Sequence, residues 1–129
     1  MLCGCGINSH RPVFNPKTCL QEAPQTVPGV RIIRGPRTEK NIVAGMQSAY
    51  CNSQMLFMLL NEKEGRVTPP GEVIFQVTVE YTGEVKSAEV VQSDIDATDF
   101  LRKLKDMIMA TDFSPWARHD DDAQFIYPM

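Results

Sequence analysis

Long apolar runs are missing from this chain of 129 residues: the longest, Met55 to Leu60, falls far short of the roughly 20 residues a membrane helix needs. No apolar segment precedes the first cysteines, so secretion is not readable from a signal peptide. A Gly-rich phosphate loop, a nucleophile elbow and a paired zinc-ligand motif are absent too, and Gly65 and Gly83 read as isolated turn glycines. Basic residues are scarce where periodic patterning is found. Residues 38–129 carry eight Lys/Arg against fifteen acids, whereas residues 1–37 carry Arg11, Lys17, Arg31, Arg34 and Arg37 against Glu22 alone. An acidic half of this kind argues against a nucleic-acid binder, which presents a basic face. The basic segment is too sparsely charged to make a membrane-surface patch and reads as a solvated linker. What the chain does have is 43% hydrophobic content, enough for one domain with one modest core.

The clearest pattern lies between Gly71 and Ser93. Val73, Phe75, Val77, Val79 and Tyr81 alternate with Glu72, Gln76, Thr78 and Glu80, and Ile74 is the one apolar residue among the polar set. Period two with β-branched and aromatic residues predicts a strand with one buried face. Thr82-Gly83 breaks the run where a tight turn needs positive φ, and Val85 to Gln92 supplies a second strand. The alternation predicts an antiparallel sheet with one wet face.

Around this hairpin the chain divides at Thr38. Pro12, Pro16, Pro24, Pro28 and Pro36 mark residues 1–37 as an extended or disordered leader, with Val30 to Ile33 able to dock on the domain. Thr38 is a candidate N-cap, followed by Glu39 and by Ile42, Met46, Ala49, Tyr50, Leu56, Leu59 and Leu60 at helical spacing, ending at Asn61 or Gly65 before Pro69-Pro70. After the hairpin, Ser93 to Asp96 offers cap residues for a second helix with Phe100, Leu101, Leu104, Met107 and Ile108 on one stripe. Phe113-Ser114-Pro115-Trp116 stops it, with two aromatics near its end. Arg118 to Asp122 reads as a polar loop, and Ala123 to Tyr127 as a last strand. The expectation is an α+β domain over residues 38–129, ordered α-β-β-α-β. Its three-stranded antiparallel sheet has spatial order 2-1-3, with both helices packed on one face.

Ala49-Tyr50-Cys51-Asn52 ending a helix and Pro70-Gly71-Glu72-Val73 opening a strand resemble the TonB C-terminal superfamily, nearest to its AgmX/PglI-type C-terminal domains of bacterial envelope and gliding-motility proteins. Thr82-Gly83-Glu84-Val85, Val90-Val91-Gln92-Ser93, Phe113 and Ile126-Tyr127-Pro128 carry the resemblance further, over residues 40–129. These are fold-setting residues, and they indicate architecture far better than activity. The resemblance implies a non-catalytic module of the periplasm or outer-membrane-anchored envelope that binds a protein or extended peptide by adding a strand to the sheet edge, with no cofactor. By position that edge is Ala123, Gln124, Phe125, Ile126 and Tyr127. The competing reading is that the leader, through Val30 to Ile33, covers it. Family members often carry a cysteine in each helix; the second helix here has none, which removes an inter-helix disulfide.

Cys3, Cys5, Cys19 and Cys51 admit three readings. Leu2-Cys3-Gly4-Cys5 resembles the end of a bacterial lipobox, which predicts lipidation of Cys5 and membrane attachment through that anchor alone. Cys3, Cys5, His10 and Cys19 form the basis of an alternative function, a small metal-binding protein, although their spacing lacks the two ligand pairs of structural zinc sites. Cys19 and Cys51 either pair, pinning the leader to the first helix, or remain a free thiol and a small buried hydrophobe.

The other constellations are weaker. His119-Asp120-Asp121-Asp122 is contiguous, and cation ligands usually come from separated positions, so a solvated turn is expected. Glu80, Glu84 and Glu89 read as surface charges. Met46, Met55, Met58, Met107 and Met109, with Phe57, either fill the core or leave an apolar strip for a homodimer or other partner.

Overall fold

A computed structural model of the chain describes Cys19 and residues 26–64, 71–116 and 122–129. Its elements are β1 (Arg31–Arg34), α1 (Glu39–Glu64), β2 (Val73–Val79), β3 (Val85–Ser93), α2 (Thr98–Met109) and β4 (Ala123–Pro128). The α+β class and the two helices are as the periodicity predicts. The sheet has four strands rather than three, in the order β1-β4-β2-β3, and every neighbouring pair is antiparallel. The expected 2-1-3 arrangement survives inside it as β3-β2-β4. The added strand is β1, from the stretch assigned to the leader.

The hairpin forms because its alternation has a core to face. Val73, Phe75, Val77 and Val79 are buried together with Phe125 and Tyr127 of β4, Ile42, Met46 and Phe57 of α1, and Phe100, Leu104 and Ile108 of α2. Both helices therefore pack on the same sheet face. On the other face Ile74 and Gln76 are half-buried, while Thr78 is enclosed although it points away from the helices. It lies between Ser87 and Gln124 on the flanking strands, and Gln124 reaches over it, its Nε2 donating to Thr78 Oγ1 at 3.4 Å. Tyr81 departs from the expected strand. β2 ends at Val79, and Tyr81 stands exposed in the turn.

That turn is tied by Gly83 N–H donating to Glu80 C=O and Glu80 N–H donating to Glu84 C=O, each at 2.9 Å. Gly83 has φ 99°, and a Cβ there would run into the Phe113 carbonyl, which accepts no displacement because Phe113 N–H itself donates to Gly83 C=O at 2.9 Å. Gly83→Ala is expected to cost about 2 kcal/mol, from left-handed strain plus this backbone collision, read as a lower urea midpoint at unchanged slope.

In α1, Thr38 caps as expected: Asn41 N–H donates to Thr38 Oγ1 at 3.2 Å. The buried stripe runs Ile42, Met46, Ala49, Ser53 and Phe57, so Leu59 falls on the outer side and Leu56 and Leu60 are half-buried. Buried Ser53 is satisfied by donating to the Tyr50 carbonyl, one turn back. At α2 the expected cap residues do other work. Its N-cap is Ala97, without a side-chain cap bond. Ser93 Oγ instead donates to Ile95 C=O at 2.7 Å, and Asp94 Oδ2 accepts from Glu72 N–H at 3.1 Å, closing the far end of the hairpin. Phe100, Leu104 and Ile108 are buried as predicted, and Phe100 meets Phe57 of α1 with ring centroids 5.9 Å apart.

Tyr127 is buried in the centre of the sheet, and burial, reinforced by nearby Tyr50, raises its pKa well above the ordinary phenol value. A group that the fold keeps neutral favours folding fully below the unfolded pKa of about 10, and that contribution falls away as pH rises past it. Stability is expected to decline above about pH 10, and Tyr127→Phe to flatten that part of a urea-midpoint-against-pH curve.

Candidate interaction surface

The residues expected to form an open edge, Ala123, Gln124, Phe125, Ile126 and Tyr127, lie on an interior strand. On one side β4 pairs with β2, matching Phe125 with Val77 and Tyr127 with Phe75. On the other it pairs with β1, matching Ile126 with Arg31, Phe125 with Ile32 and Gln124 with Arg34. The end of the leader thus covers the edge. Ala123, Phe125 and Tyr127 face the core and are buried, while Gln124 and Ile126 are half-buried on the outer face.

β1 is thin cover. All four of its side chains are exposed, Ile32 at 38% and Ile33 at 43%, and its register shifts between Ile32 and Arg34. Such a bulge, with a charge at each end, is how a protein blunts a sheet edge. Val27 and Val30, just before it, are half-buried against the core. At the opposite edge Glu84, just before β3, bridges to Asp112, and further along β3 Val90 and Val91 are exposed.

Immediately after β1 stands the residue that the sequence reading missed. Arg37, counted with the leader's solvated charges, is 2% exposed. Its guanidinium donates to Asn41 Oδ1 at 2.9 Å, to Ser114 C=O at 3.0 Å and to Glu80 C=O at 3.2 Å. It also lies 5.4 Å from the Phe113 ring centre and 5.7 Å from that of Trp116. These acceptors are uncharged, so burial lowers the pKa of the guanidinium without taking away its charge at ordinary pH. Arg37 thus joins the start of α1, the β2–β3 turn and the segment after α2. The only sequence hint was the Phe113/Trp116 pair, which supplies two faces of its cage.

Cys19 and Cys51 form a disulfide, with Cα atoms 5.8 Å apart, connecting the chain ahead of β1 to the middle of α1. This decides between pairing and free thiols, and it removes Cys19 from the metal-ligand set, because the thiolate is the ligand form. Cys3, Cys5 and His10 lie outside the described residues, and so does the Cys5 lipidation expectation. His119, Asp120 and Asp121 lie outside them as well; Asp122 pairs with Lys86 at 3.1 Å. Among the described residues no group of His, Cys, Asp and Glu is placed to hold a metal ion, and no helix is long and apolar enough to cross a membrane. Glu84 and Glu89 are exposed, and Glu89 meets Lys105 of α2 at 3.4 Å, a surface pair of little energetic weight.

The methionines divide. Met46 is fully buried, Met58 and Met107 half-buried, and Met55 and Met109 exposed. Met55 and Leu59, at 38% and 45% exposure, sit one turn apart and form a small apolar strip on the outside of α1.

No family model, curated protein or solved structure matches the chain. The functional reading therefore rests on the geometry above.

Proposed function

We propose that this protein is a non-catalytic cell-envelope module that binds a protein or an extended peptide along the β1/β4 side of its sheet. The observation that carries the reading is the character of that side. Among the described residues, the strand paired with the outer side of the core-forming strand β4 is four residues long and exposed at every side chain. Sheet edges present backbone N–H and C=O groups that an extended segment can satisfy. The disulfide supports an oxidising compartment such as the periplasm, since such bonds seldom persist in a reducing cytosol. Lipidation at Cys5 would hold the module at a membrane surface with the domain free to meet partners. The TonB C-terminal resemblance points the same way.

The test is affinity capture on immobilised protein, both oxidised and reduced by a dithiol, from an envelope extract and from an extract of the remaining cell contents. A protein retained from the envelope fraction alone, with retention altered by Ile32→Pro, supports the proposal. Equal retention from both extracts would count against the envelope, and retention indifferent to Ile32→Pro against the sheet edge. A second reading has its own observation: the Met55/Leu59 strip suits a homodimer contact. Met55→Lys/Leu59→Lys is expected to leave sedimentation unchanged if the edge is the binding surface and to lower the measured mass if the strip is.

A further inference from the structure

β1 is held at its two ends rather than along its length. On its C-terminal side the chain turns at Gly35, with φ 98°, and a Cβ there would stand 2.5 Å from Ala123 Cα; then comes the buried anchor Arg37. On its N-terminal side Val27 and Val30 rest on the core, and further back Cys19 is cross-linked to Cys51 in α1. Between these anchors the strand itself contributes four exposed side chains and an irregular ladder. With the disulfide closed, β1 is a segment of a loop fixed at both ends and stays beside β4. With it open, the covalent hold on the N-terminal side is gone, and only the half-buried Val27 and Val30 and the strand's own weak contacts oppose its release, while Gly35 and Arg37 keep the other end in place.

We propose that the Cys19–Cys51 disulfide is a redox-operated lock on the β4 edge: reduction frees β1, and the edge then accepts an extended segment of another molecule with the same chemistry, aliphatic residues between basic ones. The occupant's character is read from β1 itself. The position opposite Phe125 takes an aliphatic side chain, Ile32, on the core-facing side, and the positions opposite Ile126 and Gln124 take arginines whose heads reach water. β4's outward backbone groups, left unpaired, favour replacement of the strand over a bare edge. The reductant is a dithiol. Its thiolate attacks Cys19 Sγ, because Cys19 is half-buried whereas Cys51 is buried. The Sγ–Sγ bond breaks, Cys51 leaves as a thiolate and takes up a proton. The donor's second thiol then resolves the mixed disulfide, so the donor loses two electrons and the chain gains two thiols. The proposal rests on the sheet-edge reading and adds its control.

The experiment adds a fluorescent peptide copy of residues 28–36 to the full chain and follows anisotropy. The chain is tested oxidised, reduced by a dithiol, and as Cys19→Ser without reductant, with amide exchange measured in each state. The expected result is peptide binding to the reduced and Cys19→Ser chains at a Kd about ten-fold or more below that of the oxidised chain, since opening one end of the tether lowers the effective concentration of the competing strand. Faster exchange at Arg31–Arg34 should accompany it while β2 stays protected, and a peptide with proline in place of the central isoleucine should not bind. Equal affinity in both redox states, no binding in either, or loss of β2 protection together with β1 would overturn the proposal; the last would make the bond a staple of the whole fold. Envelope capture is run in both redox states: retention in neither defeats the sheet-edge reading, whereas equal retention in both defeats the lock alone.

Discussion

Replacing Arg37 with alanine is expected to lower the stability of the folded chain by about 3 kcal/mol. The truncation strands the Ser114 carbonyl, takes from the Glu80 carbonyl one of its two donors (Gly83 N–H remains), and removes a cation held over Phe113 and Trp116. Hydrogen bonds to a charged donor contribute about 1.5–3 kcal/mol, and a desolvated cation–π contact adds up to about 2. Against this stands the cost of keeping an unpaired charge from water, which holds the net loss near the lower end of that sum. Arg37→Lys keeps the charge but has no planar fork to reach three acceptors in different directions, so an intermediate loss is expected. Arg37→Met separates volume from hydrogen bonding. If it matched the wild type in urea denaturation, the buried charge would be contributing nothing to stability, and Arg37 would owe its place to another requirement.

Phe75→Ala should cost about 3–5 kcal/mol, the range for deleting a buried aromatic side chain. Phe75 is fully buried, on the central strand β2, with Val90 opposite it on β3 and Tyr127 on β4. A ring enclosed by strands on both sides and helices beneath leaves a cavity that rigid neighbours cannot close. Ile74→Ser, one residue away on the half-buried outer face, is expected to cost less than about 1.5 kcal/mol. The pair is best measured in one urea series. Comparable losses would mean that the outer face is covered in solution, which the exposed and half-buried residues along it argue against.

The same hairpin shows why some of this architecture could be read before any coordinates. Val73, Phe75, Val77 and Val79 repeat every second residue, and a period of two leaves no choice about which side faces the core. In α1 and α2 the helical period did the same for Ile42, Met46 and Phe100, Leu104, Ile108. Where the pattern lost definition, the reading slipped. The run Met55 to Leu60 is apolar at every position, so periodicity could not say that Phe57 goes in and Leu59 out; the packing of Phe57 on Phe100 decides that. β1 was invisible as a strand because Arg-Ile-Ile-Arg is too short for alternation and stands between glycines and prolines. Its pairing partner, β4, lies at the other end of the chain. The site followed the same rule. The β4 segment was legible as a strand, but its status as edge or interior depends on whether another segment reaches it.

The succession from α1 through the hairpin and α2 to β4, the core-facing Val73, Phe75, Val77 and Val79 of the hairpin, the buried face of α2 and the positive φ at Gly83 were settled by the chain alone, because each depends on neighbours within a few residues. Tertiary structure alone decided that β1 closes the sheet, that Cys19 finds Cys51 and that Arg37 is enclosed between two aromatics. Each of these joins residues far apart in sequence, and no local periodicity encodes which distant groups a fold will bring within hydrogen-bonding or covalent reach.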